Sequence, residues 1–127
     1  EMARMLGCAV AAVQADRIEV VRAVCARHRV WAVLKGAGSV IGSPDGRVFI
    51  NPTGNPGMAT GGSGDVLTGM AGAFLARGLE PLHALQSAVL LHGLAGDLAC
   101  ARWGEEGLIA GDIIETIPEA LRPRASR

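Results

Sequence analysis

The sequence has few aromatic side chains and no excess of charge of either sign. Tyrosine is absent from its 127 residues, only two phenylalanines and two tryptophans are present, and twelve acidic residues balance twelve basic ones. Proteins that bind nucleic acid normally present a positive surface, often with aromatic side chains that stack on bases. The composition therefore argues against a nucleic-acid partner and indicates that any nucleotide bound is a small ligand.

Paired cysteines and long apolar runs are also lacking. Cys8, Cys25 and Cys100 are scattered and form no C-x-x-C motif, so we expect reduced, buried thiols rather than a zinc or disulfide site. The apolar stretches are interrupted before the ~18 residues that a membrane span needs, and no cleavable signal is visible. These features predict a cytoplasmic protein with no membrane partner.

An α/β architecture is predicted from the first part of the chain. Half of all residues are hydrophobic, which is enough for a core. Gln14 to Arg29 has apolar residues at helical spacing, and Val30 to Leu34 is apolar throughout, as in a strand that is buried on both faces. Ser39 to Ile41 and Arg47 to Asn51 are short extended runs around turn-forming residues, which indicates a β-hairpin.

The second part of the chain is predicted to be a loop followed by three helices. Pro52 to Gly64 is rich in glycine and proline and too long for an ordinary connection, so a functional loop is expected. The helices are predicted from apolar periodicity and from the capping residues around them. They cover Asp65 to Arg77, Leu82 to Arg102 and Gly111 to Leu121.

Small residues and the tail allow two further expectations. Gly93 and Gly96 in the middle helix are expected to permit close contact with another helix. The last residues, Arg122 to Arg127, are expected to fray. No internal repeat or second domain is visible in the sequence.

The end of the glycine-rich loop carries the clearest chemical signal. In Gly61 to Asp65, small residues let several backbone N–H groups point the same way at the positive pole of a helix, which suits an anion such as a phosphate. A carboxylate at Asp65 could then accept the proton of a hydroxyl that attacks phosphorus. The residues alone leave open that Asp65 is an N-terminal helix cap and that the glycines form a turn.

Longer motifs around this loop resemble one enzyme family. Neither the Walker A pattern nor G-x-G-x-x-G is present, but Gly62 to Asp65 resembles the anion-hole motif of ribokinase-like proteins. Three blocks in the same order resemble the ADP/ATP-dependent NAD(P)H-hydrate dehydratase family: Lys35 to Ser39 (KGAGS), Asn51 to Gly69 (NPTGNPGMATGGSGDVLTG) and Leu91 to Asp97 (LHGLAGD).

The resemblance implies a fold and a set of site residues. The fold is α/β, a ribokinase-like three-layer arrangement, and residues 1–127 would be the C-terminal part of a domain whose N-terminal part is missing. Nucleotide-binding residues would be Lys35, Gly36, Ala37, Gly38, Ser39 and Gly64, of which Ser39 replaces the family's commoner threonine. The anion hole would be Gly62, Ser63 and Gly64, and Asp65 would be the catalytic and substrate-binding residue.

The resemblance also implies a reaction of metabolite repair. A damaged nicotinamide cofactor, NAD(P)H hydrate, would be phosphorylated on its ring hydroxyl, and loss of phosphate would restore NADH or NADPH. ADP or ATP would be the co-substrate and Mg²⁺ the cofactor, with no metal ligand assigned to a residue of this chain. Family members often form homo-oligomers, so a homo-oligomer is expected.

Several residues have two open interpretations. Lys35, the only lysine, is either a solvated residue at a strand end or a phosphate ligand. His92 fits a packed core histidine better than an acid or base, and Asp97 fits a structural role better than a catalytic one. Asn55 and Thr53 could contact substrate or form turns.

Two other functions remain compatible with the sequence. A ribokinase-like kinase of a small alcohol, of the hydroxymethylpyrimidine or thiazole type, would use the same anion hole and aspartate. A non-catalytic nucleotide-binding fragment would keep the loop without the chemistry.

Overall fold

The computed structural model describes residues 1–122, which fold into two compact units, Glu1–Asn51 and the described residues from Pro52 onward. Most of the tail that was predicted to fray lies outside the described residues. The elements in chain order are α1 (Met2–Leu6), α2 (Val10–Ala15), α3 (Arg17–His28), β1 (Ala32–Leu34), β2 (Val40–Gly42), β3 (Val48–Ile50), a 3-10 turn (Pro56–Met58), α4 (Ser63–Ala76), α5 (Pro81–Trp103) and α6 (Ala110–Ala120).

The long helix of the first unit begins later than its periodicity predicts. Helix α3 begins at Arg17 because the Asp16 side chain accepts a hydrogen bond of 3.0 Å from the Glu19 N–H, as an N-cap does. It ends at His28, and the next residue, Arg29, caps it in a left-handed conformation with φ of 53°. The periodicity correctly predicted that Val21, Val24 and Cys25 are buried, whereas Ile18, expected on the same face, is 38% exposed. It could not show that a capped break separates α2 from α3.

The predicted hairpin is confirmed within a three-stranded antiparallel sheet. Strand β2 pairs with β3 and also with β1, in the order β1-β2-β3. In the hairpin turn, Arg47 Nε donates a hydrogen bond of 2.7 Å to Asp45 Oδ2. This bond and one from the Ser43 hydroxyl hold the pKa of the Asp45 carboxyl well below its usual range. The turn is thus closed by its own side chains.

The prediction that Val30 to Leu34 forms a strand buried on both faces is wrong. The strand is Ala32–Leu34, its residues are half-buried, and Val30 and Trp31 are 39% and 41% exposed. The physical reason is that β1 lies at the edge of the sheet and pairs with β2 alone. Its apolar side chains Ala32 and Leu34 pack on one side against the core of the unit.

The core of the first unit leaves no room beside Gly42. Val21 and Cys25 of α3 pack with Val40 of β2, and all three are almost fully buried. A methyl group built on Gly42 would lie 2.8 Å from Cys25 Sγ and closer still to Val21 Cγ1. Burial also raises the pKa of the Cys25 thiol, so that it stays protonated at neutral pH. The expectation that all three cysteines are buried is wrong, because Cys100 is half-buried and Cys8 is exposed.

Helix α5 is the centre of the second unit. It packs against α4 and α6, and Ala95, Ala99, Leu108 and Ile113 form the core. By length and composition alone α5 could cross a membrane, a weak criterion that core helices also satisfy, and nine of its residues are buried. Its apolar character is therefore accounted for by packing within the unit.

The helices of the second unit are confirmed with small shifts in their ends. Helix α4 begins at Ser63, two residues before its predicted start. Gly78, with φ of 86°, adopts the left-handed conformation expected of the residue that ends α4. Helix α6 continues through Pro118, and the buried Thr116 hydroxyl donates a 2.7 Å hydrogen bond to the Ala95 carbonyl of α5.

Replacing Gly42 by alanine tests the packing of the first unit. We expect Gly42→Ala to lower the free energy of unfolding by about 1–3 kcal/mol, because the added methyl overpacks the space between β2 and α3. Urea unfolding followed by circular dichroism measures the change. The control is Gly72→Ala in α4, where an added methyl meets no atom within 4 Å. A Gly42→Ala protein as stable as the wild type would contradict this packing.

Candidate functional site

The predicted anion loop has the backbone geometry that an anion site requires. Gly62 caps α4 with φ of 88°, a conformation that favours glycine, and its carbonyl accepts the N–H groups of Asp65 and Val66 at 3.0 and 3.1 Å. The N–H groups of Gly62 and Gly64 make no hydrogen bond within residues 1–122. They therefore remain available at the positive pole of a 14-residue helix.

Ser63 is engaged differently from its two glycine neighbours. Its N–H donates to the Thr60 carbonyl at 3.4 Å, and its hydroxyl lies 3.4 Å from His92 Nε2 of α5. Both side chains are buried. This contact agrees with a packed histidine at position 92, and it ties the start of α4 to α5. Any contact of Ser63 with an anion remains a prediction.

Asp65 does not cap its helix. It is the third residue of α4, the capping position belongs to Gly62, and the helix has no side-chain capping bond. The alternative that Asp65 is an N-cap is therefore wrong. Its carboxylate is exposed and accepts no hydrogen bond from residues 1–122. A carboxylate in this condition is free to accept a proton from a bound hydroxyl.

The loop before α4 is fastened to α5 by Asp97. The Gly54 N–H donates to Asp97 Oδ2 at 3.1 Å, and Asn55 Nδ2 donates to Asp97 Oδ1 at 3.0 Å. The Thr53 hydroxyl donates to the Leu90 carbonyl at 3.0 Å. These bonds give Asp97 a structural role and favour the same interpretation for Thr53 and Asn55. The sequence alone could not show that Asp97 lies in contact with Gly54 and Asn55.

Glycines of α5 let this loop approach the helix backbone. A methyl group built on Gly93 would lie 2.8 Å from the backbone carbon of Thr53, and one built on Gly96 would lie 2.6 Å from Met58 Cε. Gly93 and Gly96 were expected to accommodate a second helix. The expectation of a close contact was right, but the partner is the loop, because its Pro56–Met58 turn lies against α5.

The predicted nucleotide-binding block lies in the first unit, where it forms a tight turn after β1. Lys35 to Gly38 are exposed, and Gly36 and Gly38 have φ of 143° and 61°. The Ser39 hydroxyl donates to the Gly36 carbonyl at 3.1 Å. The Lys35 ammonium makes no hydrogen bond or ion pair within residues 1–122, so its exposure agrees with a solvated strand end.

Arg17 is a residue of this turn that sequence reasoning missed. Its Nη1 donates to the Ala37 carbonyl at 2.6 Å, and its Nη2 lies 3.1 and 3.3 Å from the carbonyls of Leu34 and Lys35. No motif marked this arginine, because it lies at the start of α3, far from the turn in sequence.

The similarity to known proteins is consistent with this geometry. Residues 1–119 match the family model for NAD(P)H-hydrate dehydratase. The chain is 48% identical over 122 residues to the bifunctional NAD(P)H-hydrate repair enzyme Nnr of Moorella thermoacetica, covering 96% of this chain and 23% of that protein. It is 45% identical over 114 residues to the ADP-dependent (S)-NAD(P)H-hydrate dehydratase of Neisseria meningitidis, covering 89% and 38%.

A solved structure has the same fold. The ADP/ATP-dependent NAD(P)H-hydrate dehydratase of Bacillus subtilis, co-crystallised with ATP and Mg²⁺, superposes with a TM-score of 0.89 at 37% identity. The match covers 93% of this chain and 43% of that one, so the chain spans less than half of the relatives it resembles. The α/β fold is ribokinase-like, as predicted. The chain belongs to the NAD(P)H-hydrate dehydratase family.

Exchanging Asn55 and Asp97 tests how the loop is held. Asn55→Asp should place two carboxylates face to face, and Asp97→Asn should leave one donor without an acceptor, so each should lower the free energy of unfolding by about 1–3 kcal/mol. The double variant Asn55→Asp/Asp97→Asn restores a donor opposite each acceptor. Urea unfolding of all four proteins as a double-mutant cycle measures the coupling. Strictly additive losses would contradict the bonds described above.

Proposed function

We propose that the protein catalyses the ADP- or ATP-dependent dehydration of NAD(P)H hydrate, a lyase reaction that restores NADH or NADPH. Family membership supports this proposal, and so does one observation about the site. Asp65 is an exposed carboxylate without a capping bond, in the first turn of a helix at whose start the N–H groups of Gly62 and Gly64 make no hydrogen bond within residues 1–122. A proton acceptor and an anion site thus adjoin each other at one helix start.

The first chemical step is phosphoryl transfer to the ring hydroxyl. Asp65 accepts the hydroxyl proton as its oxygen attacks the terminal phosphorus of ADP or ATP. A new O–P bond forms while the bond to the nucleotide breaks, which releases AMP or ADP. The N–H groups of Gly62 and Gly64 stabilise the charge on the transferring group, because donors held in place need not reorganise as charge develops.

The second step is elimination. The C–O bond between the ring and the phosphate breaks, and phosphate leaves with the bonding electrons. The neighbouring ring carbon gives up a proton, and the double bond forms between these two carbons. Phosphate is a better leaving group than hydroxide, which explains the need for a nucleotide. The products are NADH or NADPH, inorganic phosphate and the shortened nucleotide.

Residues of this chain are proposed to bind the nucleotide, whereas none is proposed to bind its Mg²⁺. The turn Lys35 to Ser39 is proposed to contact the nucleotide through its backbone N–H groups. Residues 1–122 contain no group of three His, Cys, Asp or Glu side chains that could hold a metal ion. We therefore propose no protein ligand for Mg²⁺ among these residues. When bound together with the nucleotide, Mg²⁺ would neutralise negative charge on its phosphates.

The remaining properties follow from composition and from the reaction. A neutral chain with few aromatics suits small-molecule ligands, namely NAD(P)H hydrate and an adenine nucleotide, rather than nucleic acid or a membrane. Reduced, unpaired cysteines and a soluble cofactor as product support a cytoplasmic location. A homo-oligomer is proposed from the resemblance to the family.

An assay of cofactor recovery with an Asp65 variant tests this function. The purified protein is incubated with NADH hydrate, Mg²⁺ and ADP or ATP, and recovery of the dihydronicotinamide absorbance is followed. Asp65→Asn should lower kcat by about 10²–10⁴-fold, because the amide cannot accept the proton. Nucleotide affinity, measured by calorimetry, should stay close to the wild-type value. The matched control is Glu115→Gln, which removes an exposed carboxylate of α6.

The same assay separates the alternatives. Consumption of nucleotide on a hydroxymethylpyrimidine or thiazole alcohol, without recovery of NADH, would replace the dehydratase proposal by a kinase. Nucleotide binding without turnover of either substrate would indicate a non-catalytic module. Full activity of Asp65→Asn would remove Asp65 from the mechanism.

A further inference from the structure

Four consecutive carbonyl groups, from Leu34 at the end of β1 to Ala37 in the turn that follows, are engaged by side chains. Arg17 Nη1 binds the Ala37 carbonyl, and its Nη2 binds those of Leu34 and Lys35, at 2.6 to 3.3 Å. The fourth carbonyl, that of Gly36, accepts the Ser39 hydroxyl. One guanidinium and one hydroxyl therefore bind four consecutive carbonyl groups. Arginine can bind three of them because its side chain carries more N–H donors than any other.

The N–H groups of the same turn are left without partners. Those of Gly36, Ala37 and Gly38 make no hydrogen bond within residues 1–122. Successive N–H groups around residues with positive φ form a concave donor site for anions. The turn thus presents donors outward because Arg17 and Ser39 occupy its acceptors.

The approach of Arg17 to the turn is close, and its charge is not neutralised by a carboxylate. A methyl group built on Gly36 would lie 3.0 Å from Arg17 Nη2, and the φ of 143° at Gly36 is a conformation that favours glycine. The ion pairs of residues 1–122 involve other arginines, and Arg17 Nε is buried without a partner. A positive charge held by neutral carbonyls favours an anionic ligand beside it.

We infer that Arg17 is the positioning residue of the nucleotide-binding turn: by binding the carbonyls of Leu34, Lys35 and Ala37, it holds the N–H groups of Gly36 to Gly38 ready for acceptor oxygens of the nucleotide. The inference rests on the proposed role of this turn in nucleotide binding. Arg17 acts through the turn and is not assigned a contact with the reacting atoms.

Variants of two arginines of α3 test the inference. Arg17→Ala removes the three hydrogen bonds to carbonyl groups. Arg17→Lys keeps the positive charge but replaces the guanidinium, which donates through two nitrogens, by a single ammonium group. The matched control is Arg22→Ala, because Arg22 also reaches from α3 to a turn carbonyl, that of Gly46 at 3.3 Å. We expect the dissociation constant for ADP or ATP to rise about tenfold or more in Arg17→Ala and less in Arg17→Lys, and to change little in Arg22→Ala.

Two further measurements distinguish positioning from general stability. Millimolar guanidinium should partly restore nucleotide affinity to Arg17→Ala, because the free ion can occupy the vacated space. In the cofactor-recovery assay the KM for nucleotide should rise while kcat changes little. Backbone order parameters of residues 36–39, from NMR relaxation, should fall in Arg17→Ala and stay unchanged in Arg22→Ala.

The possible outcomes separate this inference from the proposed function. An unchanged dissociation constant in a folded Arg17→Ala protein would overturn the inference, as would a turn that remains ordered. If Arg17→Ala does not fold, the comparison of Arg17→Lys with Arg22→Lys decides in the same way. A wild-type protein that binds neither ADP nor ATP would overturn the proposed function and, with it, the ligand assigned to the turn, whatever the order parameters show.

Discussion

The hydrogen bonds that Asp97 accepts from Gly54 and Asn55 determine where the glycine-rich loop runs. A segment with almost no regular structure cannot satisfy its own backbone groups, so another element must supply partners. Helix α5 supplies them through one carboxylate and one carbonyl, and its small residues Gly93 and Gly96 let the loop lie close enough to use them. The start of α4 follows directly from that path.

In both units, glycines with positive φ adjoin backbone N–H groups that are available as donors. In the second unit Gly62 bends the chain with a positive φ, and the N–H groups of Gly62 and Gly64 make no hydrogen bond within residues 1–122. In the first unit glycines again supply positive φ, but side chains rather than a helix occupy the carbonyls of the turn. Both arrangements need glycine for conformation and a neighbouring element for rigidity.

Local patterns allowed much of this structure to be predicted. The hairpin, the three late helices and the loop at Pro52 to Gly64 follow from turn formers and apolar periodicity, which act over a few residues. The errors concern contacts over longer separations. The exposure of Val30 depends on which strands pair with β1, and the role of Arg17 depends on carbonyls about twenty positions away. A single sequence carries no local signal for either.

The start of α4 carries both the N–H groups proposed to bind an anion and the Asp65 carboxylate proposed to accept a proton. Because Gly62 takes the capping position, the carboxylate two residues into the helix is not drawn back onto the backbone. Its backbone adjoins that of Gly64, whose N–H makes no hydrogen bond within residues 1–122, and both residues lie in the first turn of α4. A phosphoryl group bound to the donors at this helix start would meet a proton acceptor on the same element. Because one helical turn carries both groups, movement of the loop would shift them together.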